Sequence, residues 1–158
     1  MMTADEIIAD FERNRRVIHM QADGLTHAQS LLQPPFRANC LNWVVGHIVV
    51  HRDKVLTALG ANPVLDAPST TTYDNESDPI TGDEPGVVEF AALLDHLDET
   101  QRRLAEALAS ADLSGLVTVG DRQTTRWKRI HFLSFHDTYH TGQTELLRQL
   151  AGTDDKVI

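Results

Sequence analysis

Four stretches of the chain carry apolar residues at helical spacing, and polar or proline-rich segments separate them. In the first, Ile7, Phe11, Asn14, Ile18 and then Leu25 follow at steps of one or two turns, and Thr3 with Glu6 has the spacing of a capping box. The second spans about Asn39 to Leu59, with Leu41, Val44, Val45, Ile48, Val55, Leu56 and Leu59 apolar, and Gly60 follows as a residue that ends a helix without a Cβ penalty. The third spans about Val87 to Ser110, with Phe90, Leu94, Leu97, Gln101, Leu104 and Leu108 on one face. The fourth spans about Thr125 to Ala151, with Ile130, Leu133, Leu146, Leu147 and Leu150 apolar and Gly152 as its stop. Four helices of roughly 20 residues each predict an all-α four-helix bundle.

Two connections stand apart. Residues 61–86 contain Pro63, Pro68, Pro79 and Pro85, several acidic residues and no basic one. So long a segment without a helical pattern is either functional or disordered. It reads as a solvated crossover between the second and third helices, in preference to a lid over a site. Residues 116–125 alternate Val117, Thr118, Val119 before Gly120-Asp121, the pattern of a short hairpin.

The length of 158 residues suits one domain covering 1–158, and an apolar content of 41% is enough for a core. The 23 acidic residues outnumber the 14 basic ones, for a formal charge of -9. That balance argues against a duplex nucleic-acid partner, which needs clustered Lys and Arg, and against an anionic membrane surface. Cys40 is the single cysteine, so no intrachain disulfide forms. The polar N-terminus has no signal-peptide core, and no apolar run approaches the roughly 20 residues of a membrane span. The expected location is the cytoplasm.

Eight histidines change the picture. His136 and His140 stand four apart on the fourth segment, about 40° around the axis and about 6 Å along it, so both imidazoles can converge on one ion. They lie on the stripe of Leu133, Gln143 and Leu147 and are expected to face the bundle interior, as is His47 beside Val44 and Ile48. Three neutral imidazoles from two helices match a catalytic zinc-type site with one position open, though imidazole also suits nickel, copper and iron. His51 forms a second i, i+4 pair with His47, which leaves a four-histidine site open. Against it, His51 begins the charged run His-Arg-Asp-Lys, which reads as a helix face turning to water. His19, His27, His96 and His131 have no matching partners and read as structural or surface residues.

Other candidates are subordinate. Cys40 is two turns before His47 and reads as a small buried hydrophobe. Gln143, one turn past His140, is placed to hydrogen-bond a ligand or a bound substrate. Asp137 follows His136 but points about 100° away around the helix, so it is not the expected base. Arg122, Arg126, Lys128 and Arg129 cluster at the start of the fourth helix, where positive charge opposes the macrodipole. Acidic neighbours can compensate them; alternatively Arg126 and Arg129 bind an anionic group.

Three segments together resemble the DinB/YfiT-like metalloenzymes. They are Trp43-Val-Val-Gly-His47, His136-Asp-Thr-Tyr-His140-Thr-Gly-Gln143, and the closing Glu145-Leu-Leu-Arg-Gln-Leu-Ala-Gly152. The resemblance implies a four-helix bundle with His47, His136 and His140 as ligands to one zinc or nickel ion, and it allows a homodimer. Some relatives are transferases that use a low-molecular-weight thiol. The expectation is therefore a metal-dependent enzyme acting on a small molecule through such a thiol. The alternatives are a metal-dependent hydrolase, or a non-catalytic metal-binding bundle serving as a binding or stress-response module.

Overall fold

The computed structural model describes residues 3–153, 155 and 157. Thr3 opens helix α1 (Ala4–Ala22) with the expected capping box: its hydroxyl accepts from the Glu6 amide while the Glu6 carboxylate accepts from the Thr3 amide. A one-turn helix α2 (His27–Ser30) follows, capped in the same way by Thr26 and Gln29. Then come α3 (Leu41–Ala58), a short α4 (Ala67–Tyr73), α5 (Phe90–Leu108), the strands β1 (Leu116–Val119) and β2 (Arg122–Thr125), and α6 (Arg126–Leu150). The strands pair antiparallel with Val119 opposite Arg122. Gly120 takes φ 57° at the first position of the two-residue turn, a conformation that a side chain disfavours.

The four long helices are α1, α3, α5 and α6. Both α1 and α3 pack against α5 and α6, so they occupy opposite corners of the bundle. Side-chain contacts give the directions. Gln101 reaches the Ile8 carbonyl and Arg15 reaches Asp98, so α1 and α5 run antiparallel. Asn14 meets Thr138 and Arg148 meets the Gln21 carbonyl, so α1 and α6 run parallel. Asn42 meets the Val88 carbonyl, and Arg52 meets Gln101, so α3 and α5 are also parallel. Parallel neighbours cannot be joined by a tight turn, and this is why the crossover between α3 and α5 must be long.

That crossover is not simply solvated. It buries Leu65, Tyr73 and Ile80 and contains α4. Asp53, buried on α3, anchors its start by accepting from the Val64 and Leu65 amides at 2.8 and 3.0 Å. The Tyr73 ring lies against Gly46, where a Cβ would meet ring carbon at 2.3 Å, so only glycine fits.

Apolar side chains form two clusters along the bundle. One includes Ile18, Val45, Ile48, Leu93, Leu97 and Leu147; the other includes Ile7, Phe11, Leu56, Leu104, Ile130 and Leu133. Between them lies a polar layer. Arg52 is 0% exposed and its Nε donates to Asp137 Oδ2 at 2.7 Å. Its Nη atoms reach the Phe11 carbonyl at 2.9 Å and Gln101 at 3.3 Å, and its guanidinium lies 5.2 Å from the Phe11 ring centroid. Both charges are thus buried with their hydrogen-bonding capacity largely used, the condition under which a buried ion pair is tolerated.

The layer overturns two expectations. The run His51-Arg52-Asp53 does not turn to water; all three are buried. And it is Asp137, not the flanking histidines, that points into the bundle centre on α6. Leu146, assigned to the apolar set of the fourth segment, is 65% exposed.

Candidate metal centre

His47 projects from the middle of α3 and His136 and His140 from α6, at the seam where these antiparallel helices meet. Their Nε2 atoms converge. His136 Nε2 is 3.4 Å from His47 Nε2 and 3.2 Å from His140 Nε2, and one ligand atom from each ring lies within 4.8 Å of the others. Nitrogens about 2.0–2.1 Å from a tetrahedral zinc stand about 3.3–3.4 Å apart, so the two spacings from His136 match those of ligands to a single ion.

The outer faces of the rings fix their protonation. His47 Nδ1 is 2.7 Å from the Tyr73 carbonyl, and a carbonyl only accepts, so the proton sits on Nδ1 and the Nε2 lone pair faces the centre. His140 Nδ1 donates in the same way to Gln143 Oε1 at 2.7 Å. His136 Nδ1 is buried without a partner. Two inward lone pairs are therefore fixed, and His136 can offer a proton to only one of them. A cation answers all three nitrogens at once. Outer partners of this kind orient the ring and raise its basicity as a ligand.

Aromatic stacking holds the rings. Trp43 stacks on His47 at 4.3 Å and 15°, and its indole nitrogen donates to Ser77 Oγ at 2.8 Å. His51 stacks on His136 at 3.9 Å and 16° and reaches Asn75 Oδ1 at 3.3 Å. His51 thus lies against the cluster without belonging to the converging set. Burial pushes the His47 and His136 pKa values down to about 4, with smaller contributions from neighbouring imidazoles and Lys54. It pushes His51 down to about 2 and lowers His140 as well. The cluster is neutral near pH 7, the form that binds metal.

A cleft of about 230 Å³ opens onto His140 and Gln143, walled by Pro34, Phe36, Trp43 and Leu146. The sequence profile of the DinB superfamily matches residues 10–144. The chain belongs to the DinB superfamily. A crystal structure of a conserved protein from Enterococcus faecalis shares the fold, with a TM-score of 0.74 and 19% identity over 97% of this chain and 100% of that one. No curated protein is similar enough in sequence to count as a relative.

The remaining sequence candidates in this DinB-superfamily chain separate clearly. Cys40 is buried at the cap of α3, and burial pushes its thiol pKa up. Arg126 is engaged by main-chain carbonyls, those of Ala58 at 2.8 Å and Asp112 at 2.5 Å. Arg129 is half-buried. His27 accepts from the Phe90 amide at 3.1 Å, His19 pairs with Asp98 at 2.6 Å, and His131 stacks on Trp127. The contribution of Tyr73 was not legible in sequence, because it acts through a carbonyl that every residue possesses. Among the described residues no helix is long and apolar enough to cross a membrane.

Proposed function

We propose that this protein is a metal-dependent enzyme in which His47, His136 and His140 hold one zinc or nickel ion, and that it transfers a low-molecular-weight thiol to a small electrophilic substrate. The observation that carries the reading is the convergence of three Nε2 atoms beside an open cleft, with two rings locked by Tyr73 and Gln143. A divalent ion held by three neutral ligands keeps its full +2 charge and favours the thiolate, the nucleophilic form of a thiol, over the thiol.

The chain's own residues supply position. Tyr73 and Gln143 hold the rings, Trp43 and His51 brace them, and Phe36, Trp43 and Leu146 offer an apolar wall to the substrate. In the reaction the sulfur forms a bond to carbon while the leaving group departs with the bonding pair. The location of the site supports catalysis over a purely structural ion, because complete apolar clusters lie along the bundle without it. Phe132, Phe135, Tyr139 and Leu146, exposed on α6, give a homodimer an apolar surface to bury.

The test is metal analysis of protein purified without a histidine tag, followed by thiol-dependent turnover of electrophiles. We expect one equivalent of metal and turnover that requires both metal and thiol. Absence of tightly held metal would overturn the reading, and turnover of esters or amides without thiol would redirect it to hydrolysis. Light scattering in solution tests the dimer, and a monomeric mass would remove it.

A further inference from the structure

On α3, Lys54 follows His47 by seven residues; on α6, Arg129 precedes His136 by seven. Seven residues are nearly two full turns, so each basic residue shares a face with its histidine about 10 Å away. Because α3 and α6 are antiparallel, both displacements run toward the same end of the bundle. There Lys54 and Arg129 line one groove of about 650 Å³ with Thr57, Val117, Thr118 and Arg126. Strand β1 contributes Val117, Thr118 and Val119 to its lining.

Arg129 is unusual in its surroundings. It is half-buried, burial lowers its pKa, and among the described residues no carboxylate or carbonyl accepts from it. Arg126 beside it is engaged by two carbonyls, and Lys54 pairs with Asp74 at 2.7 Å. A guanidinium partly removed from water and left without an acceptor is costly unless a ligand supplies one.

We infer that this groove is an oxyanion subsite. In it Arg129, with Lys54 beside it, receives a carboxylate or phosphate group of the molecule whose other end reaches the three histidines. The inference rests on the metal-centre reading above and adds a substrate class: an extended anion, with its charged group on the order of 10 Å from its metal-reaching atom. Arg suits this role because its planar fork binds carboxylate or phosphate through two parallel hydrogen bonds. The acidic balance of the whole chain then makes the groove selective by position, not by overall attraction.

The experiment loads the protein with cobalt(II) and follows thiol binding by the sulfur-to-cobalt absorption band. The probes are an eight-carbon ω-mercapto-carboxylate and the matching ω-mercapto-alcohol. We expect the carboxylate to bind about 10-fold or more tightly than the alcohol, as a charge-assisted hydrogen bond allows. Arg129→Gln should remove that advantage and leave alcohol binding unchanged, while Lys128→Gln, an exposed control, should keep it. Equal affinities in the unaltered protein, or an advantage that survives Arg129→Gln, would overturn the subsite. A second arm uses metal-free protein and inorganic phosphate, reading the Arg129 Nε–Hε resonance. A saturable shift supports the subsite and no shift overturns it. Failure to take up cobalt would count against the metal-centre reading alone, and the phosphate arm would still decide this one.

Discussion

The Nδ1 of His47 lies 2.7 Å from the main-chain carbonyl of Tyr73, so the crossover between α3 and α5 holds a ring of the candidate metal centre. The contact depends on Gly46, against which the Tyr73 ring packs. Gly46→Ala should push Tyr73 away, release the His47 ring and weaken metal binding by about 10–100-fold, the usual loss when an outer partner of a ligand is removed. Tyr73→Phe is the contrast. It keeps the ring and the carbonyl but strips the hydroxyl from Asn42 and the Val88 amide. It should cost about 1–3 kcal/mol of stability and leave metal affinity nearly unchanged. Competition titration with a chelating dye, beside urea unfolding, separates the two effects.

Single replacement of His47, His136 or His140 by Ala should lower metal affinity by well over the roughly 100-fold of an outer-partner loss. His51→Ala should keep one metal per chain, because its ring stacks on His136 but does not point its nitrogens into the converging set. Chelator-treated protein should retain its helical circular dichroism and a cooperative melt, with added metal raising Tm through its preference for the folded state. Unfolding on chelation would mark the ion as structural.

Arg52 and Asp137 should prove strongly coupled. Arg52→Met or Asp137→Ala alone leaves a buried charge without its partner and should cost about 3–5 kcal/mol. The double replacement should cost clearly less than the sum of the two, because no charge is then stranded. Urea unfolding of the four proteins of the cycle provides the measurement.

Metal-free protein should lose stability on acidification. The folded-state pKa values of His47 and His136 lie near 4 and that of His51 near 2, below the unfolded value of about 6.5. The unfolded chain therefore takes up protons first, and stability is lost as pH falls from about 6.5 toward 4. Tm of the metal-free protein measured across this window should decline. The decline should be shallower in His51→Asn, which removes the most depressed of these groups.

Duplex DNA should not bind at physiological salt, given a formal charge of -9. A gel-shift assay with random-sequence duplex provides the check, and a tight salt-sensitive shift would contradict the expectation.

The sequence by itself determined the helices and the three ring positions. Apolar spacing and the Thr3–Glu6 box are local properties, so the long elements fell within a few residues of expectation. His136 and His140 share a face because a helix turns every 3.6 residues, whatever it packs against. Their pairing with His47, the corner each helix occupies and the direction in which α3 and α5 run depend on contacts between distant segments. So does burial. The run His51-Arg52-Asp53 reads as charged surface until α6 brings Asp137 opposite Arg52 and the crossover brings two amides onto Asp53. A charge can enter a core only when its partner arrives from elsewhere in the chain, and no local pattern announces that arrival. The same holds for the Tyr73 carbonyl on His47: it has no side-chain identity to read, and only the path of the crossover puts it there.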